Sequence, residues 1–416
     1  MTAPTSEAAS PTRVPLRQLI SVFARVGAFG FGGGMGMLAI LREHVIKRRK
    51  WVSEDEFLTA VALGQMIPGP FIPNCVEYIG YRLRGLKGMF VSALAFLLPS
   101  VLAILVLSAV YFRYGKLEGV QAAFHGVAPV IAGILVVATW QIAERSCRSW
   151  RAMSIALLAF LLQVFRVDVL LTIAVCGLLG LLLFVNFRAR TLYSFAPWLF
   201  APWAVLVPPA LASQSGVGLP QVLRRAVELF GVFLKIGAIV WGGGFAAIPF
   251  IRQEVVDIRP WLNAREFIDG VALGQITPGP VAITATFVGY RVLGIAGAIL
   301  ATVGMFLPSF VMLILVLRVY DRIKEHLLVK SFLQGVMAAV VGMLLSAALF
   351  IGQEALVTAV RPAGGLAVAI GSGLFLNLVS AGLALASLLL LLLARLDPLW
   401  LVLGGAGIGL ALRGLL

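Results

Sequence analysis

Val61-Ala-Leu-Gly64-Gln65-Met-Ile-Pro68-Gly69-Pro70 returns later in the chain as Val271-Ala-Leu-Gly274-Gln275-Ile-Thr-Pro278-Gly279-Pro280. Both copies lie inside apolar blocks. Proline removes a backbone donor and clashes with the preceding turn, while glycine admits conformations closed to other residues. A Pro-Gly-Pro run therefore interrupts a helix wherever it falls. Broken backbone at membrane depth persists only where protein or a water-filled cavity satisfies it. The same break made twice points to a duplicated membrane protein whose breaks serve a site.

The duplication extends outward from these runs in constant register. Phe23-Ala-Arg25-Val-Gly27 is matched by Phe233-Leu-Lys235-Ile-Gly237, and Gly32-Gly33-Gly34 by Gly242-Gly243-Gly244. Trp51 with Glu56-Phe57 returns as Trp261 with Glu266-Phe267. After a one-residue gap, Gly80-Tyr81-Arg82 matches Gly289-Tyr290-Arg291, and Leu98-Pro99-Ser100 matches Leu307-Pro308-Ser309. Chance does not hold register over such a distance.

Composition sets the class. Of 416 residues, 61% are hydrophobic and 12% charged, against about 45–50% and 25% in soluble domains. The apolar residues fall in blocks long enough for a helix to cross a hydrocarbon core about 30 Å thick. Spans are expected to start near Leu16, Glu56, Leu86, Gly119, Arg151, Val167 and Tyr193, then near Gln221, Glu266, Gly294, Val329, Gly364, Leu378 and Pro398. The expected fold is an all-α polytopic membrane protein with about 12–14 transmembrane or broken helices in two homologous halves. We divide it into a polar tail 1–15, a first repeat 16–190, a linking apolar span and loop 191–220, a second repeat 221–396 and a C-terminal apolar span 397–416.

The net charge of +15 does not indicate nucleic acid, because the cations sit in short loops between apolar blocks with no basic stripe. Their distribution also reads topology. Lys47, Arg48, Arg49 and Lys50 crowd one loop of the first half, while its counterpart carries Arg252 and Arg259 diluted by Glu254 and Asp257. The bias reverses further on, where Arg113 and Lys116 face Arg318, Arg322, Lys324 and Lys330. Equivalent loops on opposite faces mean an inverted-topology repeat, an arrangement that places substrate near the bilayer midplane. Cys75, Cys147 and Cys176 lie far apart without metal-ligand spacing, so no metal or disulfide is expected.

The candidate substrate contacts follow from the breaks. A half-helix starting after Gly32, Gly33, Gly34 or after Pro68, Gly69, Pro70 aims free N–H groups and a positive dipole end at its surroundings, which suits an anion. Gly242, Gly243, Gly244 and Pro278, Gly279, Pro280 repeat the device. Kinking and close packing by small residues is the plainer explanation. Arg25 and Lys235 are matched cations inside apolar blocks, where charge marks a substrate path unless the side chain snorkels out. Gln65 and Gln275 are amides able to donate to an oxyanion. Arg42, Arg82, Arg252 and Arg291, at span ends, either anchor topology or line a vestibule. Glu77, His125 and Asp168 align with the neutral Thr286, Gln334 and Asn377, a pattern open to asymmetric proton coupling. Glu56 and Glu266 close capping boxes with Ser53 and Asn263 and are read as structural.

The doubled order of Gly-Gly-Gly, Trp-x4-Glu-Phe, Gly-Gln-x-x-Pro-Gly-Pro and Gly-Tyr-Arg resembles the chromate ion transporter (CHR) family in its long, two-domain form, over about residues 16–395. The resemblance implies multi-pass residence in the bacterial inner membrane and export of chromate, giving resistance, with sulfate as a look-alike anion. It implies no cofactor and no enzymatic activity. A homodimer is compatible with it. Two charges leaving a cell held near about −150 mV gain about 7 kcal/mol, enough to drive export without ATP. Proton-coupled oxyanion uptake on the same fold and a membrane-bound chromate reductase are the competing readings. The reductase would need a flavin, haem or thiol pair for which the sequence offers no site.

Overall fold

The structure, a computed structural model, describes residues 14–30, 33–185, 220–318, 320, 326–358, 367–371, 374–394 and 396–412. Gly32, most of the expected polar tail, nearly all of the linking segment 191–220 and the expected span start at Gly364 lie outside the described residues. The first half contains α1 (Leu16–Phe29), α2 (Gly33–Arg42), α3 (Glu54–Met66), α4 (Phe71–Tyr114), α5 (Glu118–Ser146), α6 (Trp150–Val164) and α7 (Val169–Phe184). The second contains α8 (Gln221–Ile239), α9 (Ala247–Arg252), α10 (Ala264–Ile276), α11 (Thr284–Leu317), α12 (Leu327–Leu356), α13 (Leu378–Leu389) and α14 (Pro398–Ala411). The protein is an all-α polytopic membrane protein in architecture. Among the described residues, Phe71–Tyr114, Glu118–Ser146, Val281–Leu317 and Leu327–Leu356 are long and apolar enough to cross a bilayer.

The Pro-Gly-Pro break does something the sequence did not foretell. It turns the chain back instead of kinking a crossing. Gly64 of α3 packs on Phe71 and Cys75 of α4, the Cys75 thiol donates to the Ala60 carbonyl at 3.4 Å, and Glu56 pairs with Arg82. Contacts that widen in this order describe an antiparallel hairpin with Pro68-Gly69-Pro70 at its tip. The second half repeats it through Gly274 on Thr284, Gly270 on Phe287 and Glu266 with Arg291 at 3.5 Å. The glycine break makes a similar hairpin: Lys235 reaches Glu254 at 2.6 Å and Arg259 reaches Glu228 at 2.8 Å. In the first half Phe23 lies 6.4 Å from Trp51. The expected crossings at Leu16, Glu56, Gln221 and Glu266 thus run into breaks that fold the chain back as hairpins. The 13 residues of α3 make about 20 Å of helix, too short to span.

A further reversal follows each Pro-Gly-Pro hairpin. At Arg84–Gly85 and Leu293–Gly294 the backbone leaves helical geometry, with Gly85 at φ 60, ψ −152 and Gly294 at φ 59, ψ −144. Gly80 then packs on Gly88, and Gly289 on Gly297, so limb 71–83 lies back along limb 86–114. This backbone region is essentially reserved for glycine, and other residues pay of order 1–3 kcal/mol to enter it. Nothing lies within 4 Å of a Cβ placed on either glycine, so strain alone is at stake. Gly85→Ala and Gly294→Ala should each lower the thermal midpoint of the detergent-purified protein by a few degrees, about 1–3 kcal/mol. An unchanged midpoint would show that the corner relaxes.

The long limbs hold the halves together. Gly27 of α1 sits against the Phe96 carbonyl, and Gly237 of α8 against that of Met305, the close approach that small residues give membrane helices. Phe90 packs on Phe310 at 6.3 Å, while Phe112 stacks on Phe287 at 4.9 Å and Tyr290 at 6.0 Å. Equivalent limbs therefore run antiparallel, and each ends in the other half's core.

The rest of each half crosses over too. Helices α6 and α7 pack on α12 through Ala156 on Gly342 and Gly180 on Gly335, while α13 and α14 pack on α5 through Ser387 on Gly133 and Gly405 on Gly126. Asp168 caps α7, accepting from the Leu170 and Leu171 N–H groups, and Asp397 caps α14, accepting from the Leu399 N–H. By contacts Asp168 corresponds to Asp397, and the apparent match with Asn377 was one of register. Strands β1 (Val357–Thr358), β2 (Ala367–Gly371) and β3 (Leu374–Asn377) form a small antiparallel sheet in the order β1-β3-β2 where a helical span from Gly364 was expected.

Candidate functional site

The hairpin tips meet across the halves. The Gly69 N–H donates to the Val240 carbonyl at 2.6 Å, and the Gly279 N–H donates to the Gly30 carbonyl at 3.0 Å. Each bond joins the Pro-Gly-Pro tip of one half to the glycine tip of the other. It satisfies a carbonyl that α1 or α8 leaves open at its C-terminal end. Ser309 lies against Gly69, and Ser100, its counterpart, against Gly279. Gly69 and Gly279 hold φ 114 and 105, so both the turn and the close approach require glycine.

A cavity of about 1650 Å³ opens beside these tips. Gln65, Pro70, Gly242, Gly243, Gly244 and Pro280 line its inner part. The first turn of limb 71–83 adds Phe71 and Ile72 to the wall, and their N–H groups have no acceptor within the helix. A Cβ built on Gly243 would meet nothing within 4 Å, so its peptide is open to a ligand. Gln141 and Gln334 stand further out, and Arg145, Arg148 and Lys330 bring positive charge to the mouth, partly offset by Glu144 and Asp397. Helix ends, amides and cations around one cavity fit a small oxyanion.

The profile of the family described as Chromate transporter matches residues 17–181 and 227–410. The chain belongs to the chromate transporter family. It is 32% identical over 352 residues to a "Probable chromate transport protein" of Synechococcus elongatus, covering 82% of this chain and 86% of that one. A "Chromate transport protein" of Pseudomonas aeruginosa is 33% identical over 354 residues, 82% of each chain. One of the same name from Cupriavidus metallidurans is 30% identical over 345 residues, 82% of this chain and 84% of the relative. No solved structure matches.

Several residues singled out in the sequence lie elsewhere in the transporter. Arg25 is exposed on α1 and absent from the cavity wall, which is the snorkelling position. Lys235 is held by Glu254, whose second oxygen takes Arg259, so its charge is spent inside a hairpin. The four arginines offered as a vestibule are held in ion pairs within their own halves instead. Arg42 pairs with Glu54 at 2.7 Å, Arg82 with Glu56, Arg252 with Asp257 at 3.4 Å and Arg291 with Glu266. Burial pushes the Glu56 carboxyl up, but hydrogen bonds from Arg82 and the Ser53 N–H outweigh it and hold the group below the usual carboxylate range. Ser53 with Glu56 and Asn263 with Glu266 form the expected capping boxes.

Gln65 is exposed in the cavity wall, whereas Gln275, its match, is half-buried outside the cavity wall, with its Nε2 buried and without a partner. Glu77 is 1% exposed, with Oε2 unpartnered, and does not reach the cavity. His125 Nδ1 faces the Gln121 carbonyl at 2.7 Å. Arg145, Arg148 and Lys330 went unnoticed as site residues, since cations at span ends read as topology markers. A signal was available: the other half matches Arg145 with Glu354 and Lys330 with Gln121.

Proposed function

We propose that the chain is a secondary transporter of the bacterial inner membrane that exports chromate, a dianion with sulfate as its look-alike, driven by the membrane potential. The observation that carries this reading is the convergence of paired hairpin tips on a cavity with amides inside and cations at its mouth. Substrate binds at the tips through Gln65 and the open N–H groups of Phe71, Ile72 and the Gly243–Gly244 peptide.

The antiparallel packing of equivalent spanning limbs supports an inverted repeat, because a two-fold axis relating opposed crossings lies in the membrane plane. Limb 86–114 leaves the face that carries the first-half hairpin bases, and α5 returns to it. Lys47, Arg48, Lys87, Arg145 and Arg148 then share one face with the cavity mouth, and that cation-rich face is cytoplasmic by the positive-inside rule. A mouth open to the cytoplasm, with a positive field, collects the anion to be exported. The packing of α13 and α14 on α5, mirroring α6 and α7 on α12, supports counting α14 with the second repeat and not as a separate C-terminal span 397–416.

Chromate uptake by inside-out vesicles tests the site. Gln65→Ala removes a hydrogen bond to a charged ligand, worth about 1.5–3 kcal/mol, and should raise the KM about 10- to 100-fold. Arg25→Ala should leave it unchanged. A Gln65→Ala variant with wild-type KM moves the site away from the tips.

A further inference from the structure

The two ends of the molecule are built from matched residues but are not in the same state. On the open side Ala62 and Gln65 of α3 are exposed, as is Leu58 at 56%. The same face of α10 is closed: Ile268 is 1% exposed and Ala272 fully buried, and Gln275 is half-buried with its Nε2 covered. Helix α10 packs on α5, while α3 has no comparable packing on α12, because the cavity lies between them. The pattern of this face does not account for the difference, although Asp269 beside it is matched by Thr59 in the first half. The faces are Leu-x-x-x-Ala-x-x-Gln in one half and Ile-x-x-x-Ala-x-x-Gln in the other.

The closure has a specific fastening. The Tyr111 hydroxyl donates to Asp269 Oδ2 at 2.7 Å, and the Tyr111 ring packs edge-on against Phe124 at 5.3 Å and Phe287 at 5.4 Å. Phe124 and Arg145 are both on α5, so this seal is about 30 Å from the open mouth. Tyr320, the counterpart of Tyr111, lines the open cavity. Asp269 Oδ1 and Gln275 Nε2 are buried without partners. Unpaired buried polar atoms cost free energy, and water would satisfy them if this end opened.

We propose that Tyr111 and Asp269, backed by Phe124 and Phe287, form the gate of a second mouth, and that the transporter alternates by exchanging the states of α3 and α10. Opening the gate exposes Ala272 and Gln275 to the far side while the Ala62–Gln65 face closes on α12. Gln275 then takes the part that Gln65 takes now. The inference rests on the transporter reading above but names the moving parts and the latch.

Thiol labelling tests the gate without measuring chromate. Ala62→Cys and Ala272→Cys are introduced singly in a background with Cys75, Cys147 and Cys176 replaced, and challenged with a membrane-impermeant maleimide from either face. With the latch intact, Ala62→Cys should react quickly from one face and Ala272→Cys slowly. Tyr111→Phe with Asp269→Asn should raise the Ala272→Cys rate from the opposite face about tenfold and lower the Ala62→Cys rate. Unchanged rates at both positions would overturn the gate and leave the pair as packing. Rates rising together would also overturn it, since that pattern is loosening rather than exchange. Chromate transport in Gln65→Ala vesicles reads the binding site separately, so the two ideas fail independently.

Discussion

Gly69→Ala and Gly279→Ala are each expected to abolish chromate transport, to equal degrees. Three costs fall on one methyl group. A residue other than glycine at φ 114 or 105 is strained by about 1–3 kcal/mol. The new Cβ at residue 69 would lie 2.5 Å from the Ser309 Cβ, and at residue 279 it would press on Ser100. Moving the tip to relieve that contact lengthens the bond to the Val240 or Gly30 carbonyl, and a buried carbonyl left unpaired costs a further 1–3 kcal/mol or so. Together these amount to several kcal/mol at the point where the halves join, so activity should fall by at least about a hundredfold. Initial uptake rates at matched protein level check it, with size-exclusion profiles to separate misfolding from loss of transport. Ser309→Gly should recover part of the Gly69→Ala loss, since it removes the contact but not the strain. Either alanine variant keeping half its transport rate would show that the cross-half bond does not organise the site.

The sequence carried the duplication and the location of every helix break, because proline, glycine and capping residues act locally. Ser53 with Glu56 and Asn263 with Glu266 start helices as read, and Gly69 and Gly279 end them. What the break does next is not local. A Pro-Gly-Pro run is compatible with a kinked crossing or with a reversal, and the choice depends on whether Ala60 and Gly64 find Cys75 and Phe71 alongside. The same limit applied to the charges. Arg25 and Lys235 look alike in the repeat, yet Lys235 found Glu254, a residue whose first-half counterpart is His44, while Arg25 turned outward. Glu77 in the first half takes the place of Thr286, which shares a hydrogen bond with Thr302 at 2.7 Å. The sheet at residues 357–377 shifted the register beyond it, and with that Asp168 lost its apparent asymmetry. Gln65 and Gln275 illustrate the last limit: one sequence element, repeated, is exposed in one half and half-buried in the other. Exposure of that kind depends on what packs alongside, α5 against α10 but a cavity beside α3, which the repeat itself does not record.

Potential dependence should be larger still. Two uncoupled charges crossing 100 mV gain about 4.6 kcal/mol, which is a ratio on the order of a thousandfold between the compartments. Inside-out vesicles held 100 mV positive inside should therefore concentrate chromate by that order at equilibrium, and collapsing the potential with a potassium ionophore should release it. The sign follows from the topology argued above, because the vesicle lumen stands for the outside of the cell and the cation-lined mouth faces the medium. Exchange of one dianion for another moves no net charge, so accumulation would then follow the lumenal sulfate load and ignore the potential. Coupling to protons would make accumulation follow a pH gradient, and Glu77, buried between helices without a partner for Oε2, is the group to carry it. Accumulation indifferent to potential would remove the uniport mechanism while leaving the site intact, since Arg145, Arg148 and Lys330 attract an oxyanion whatever pays for its passage.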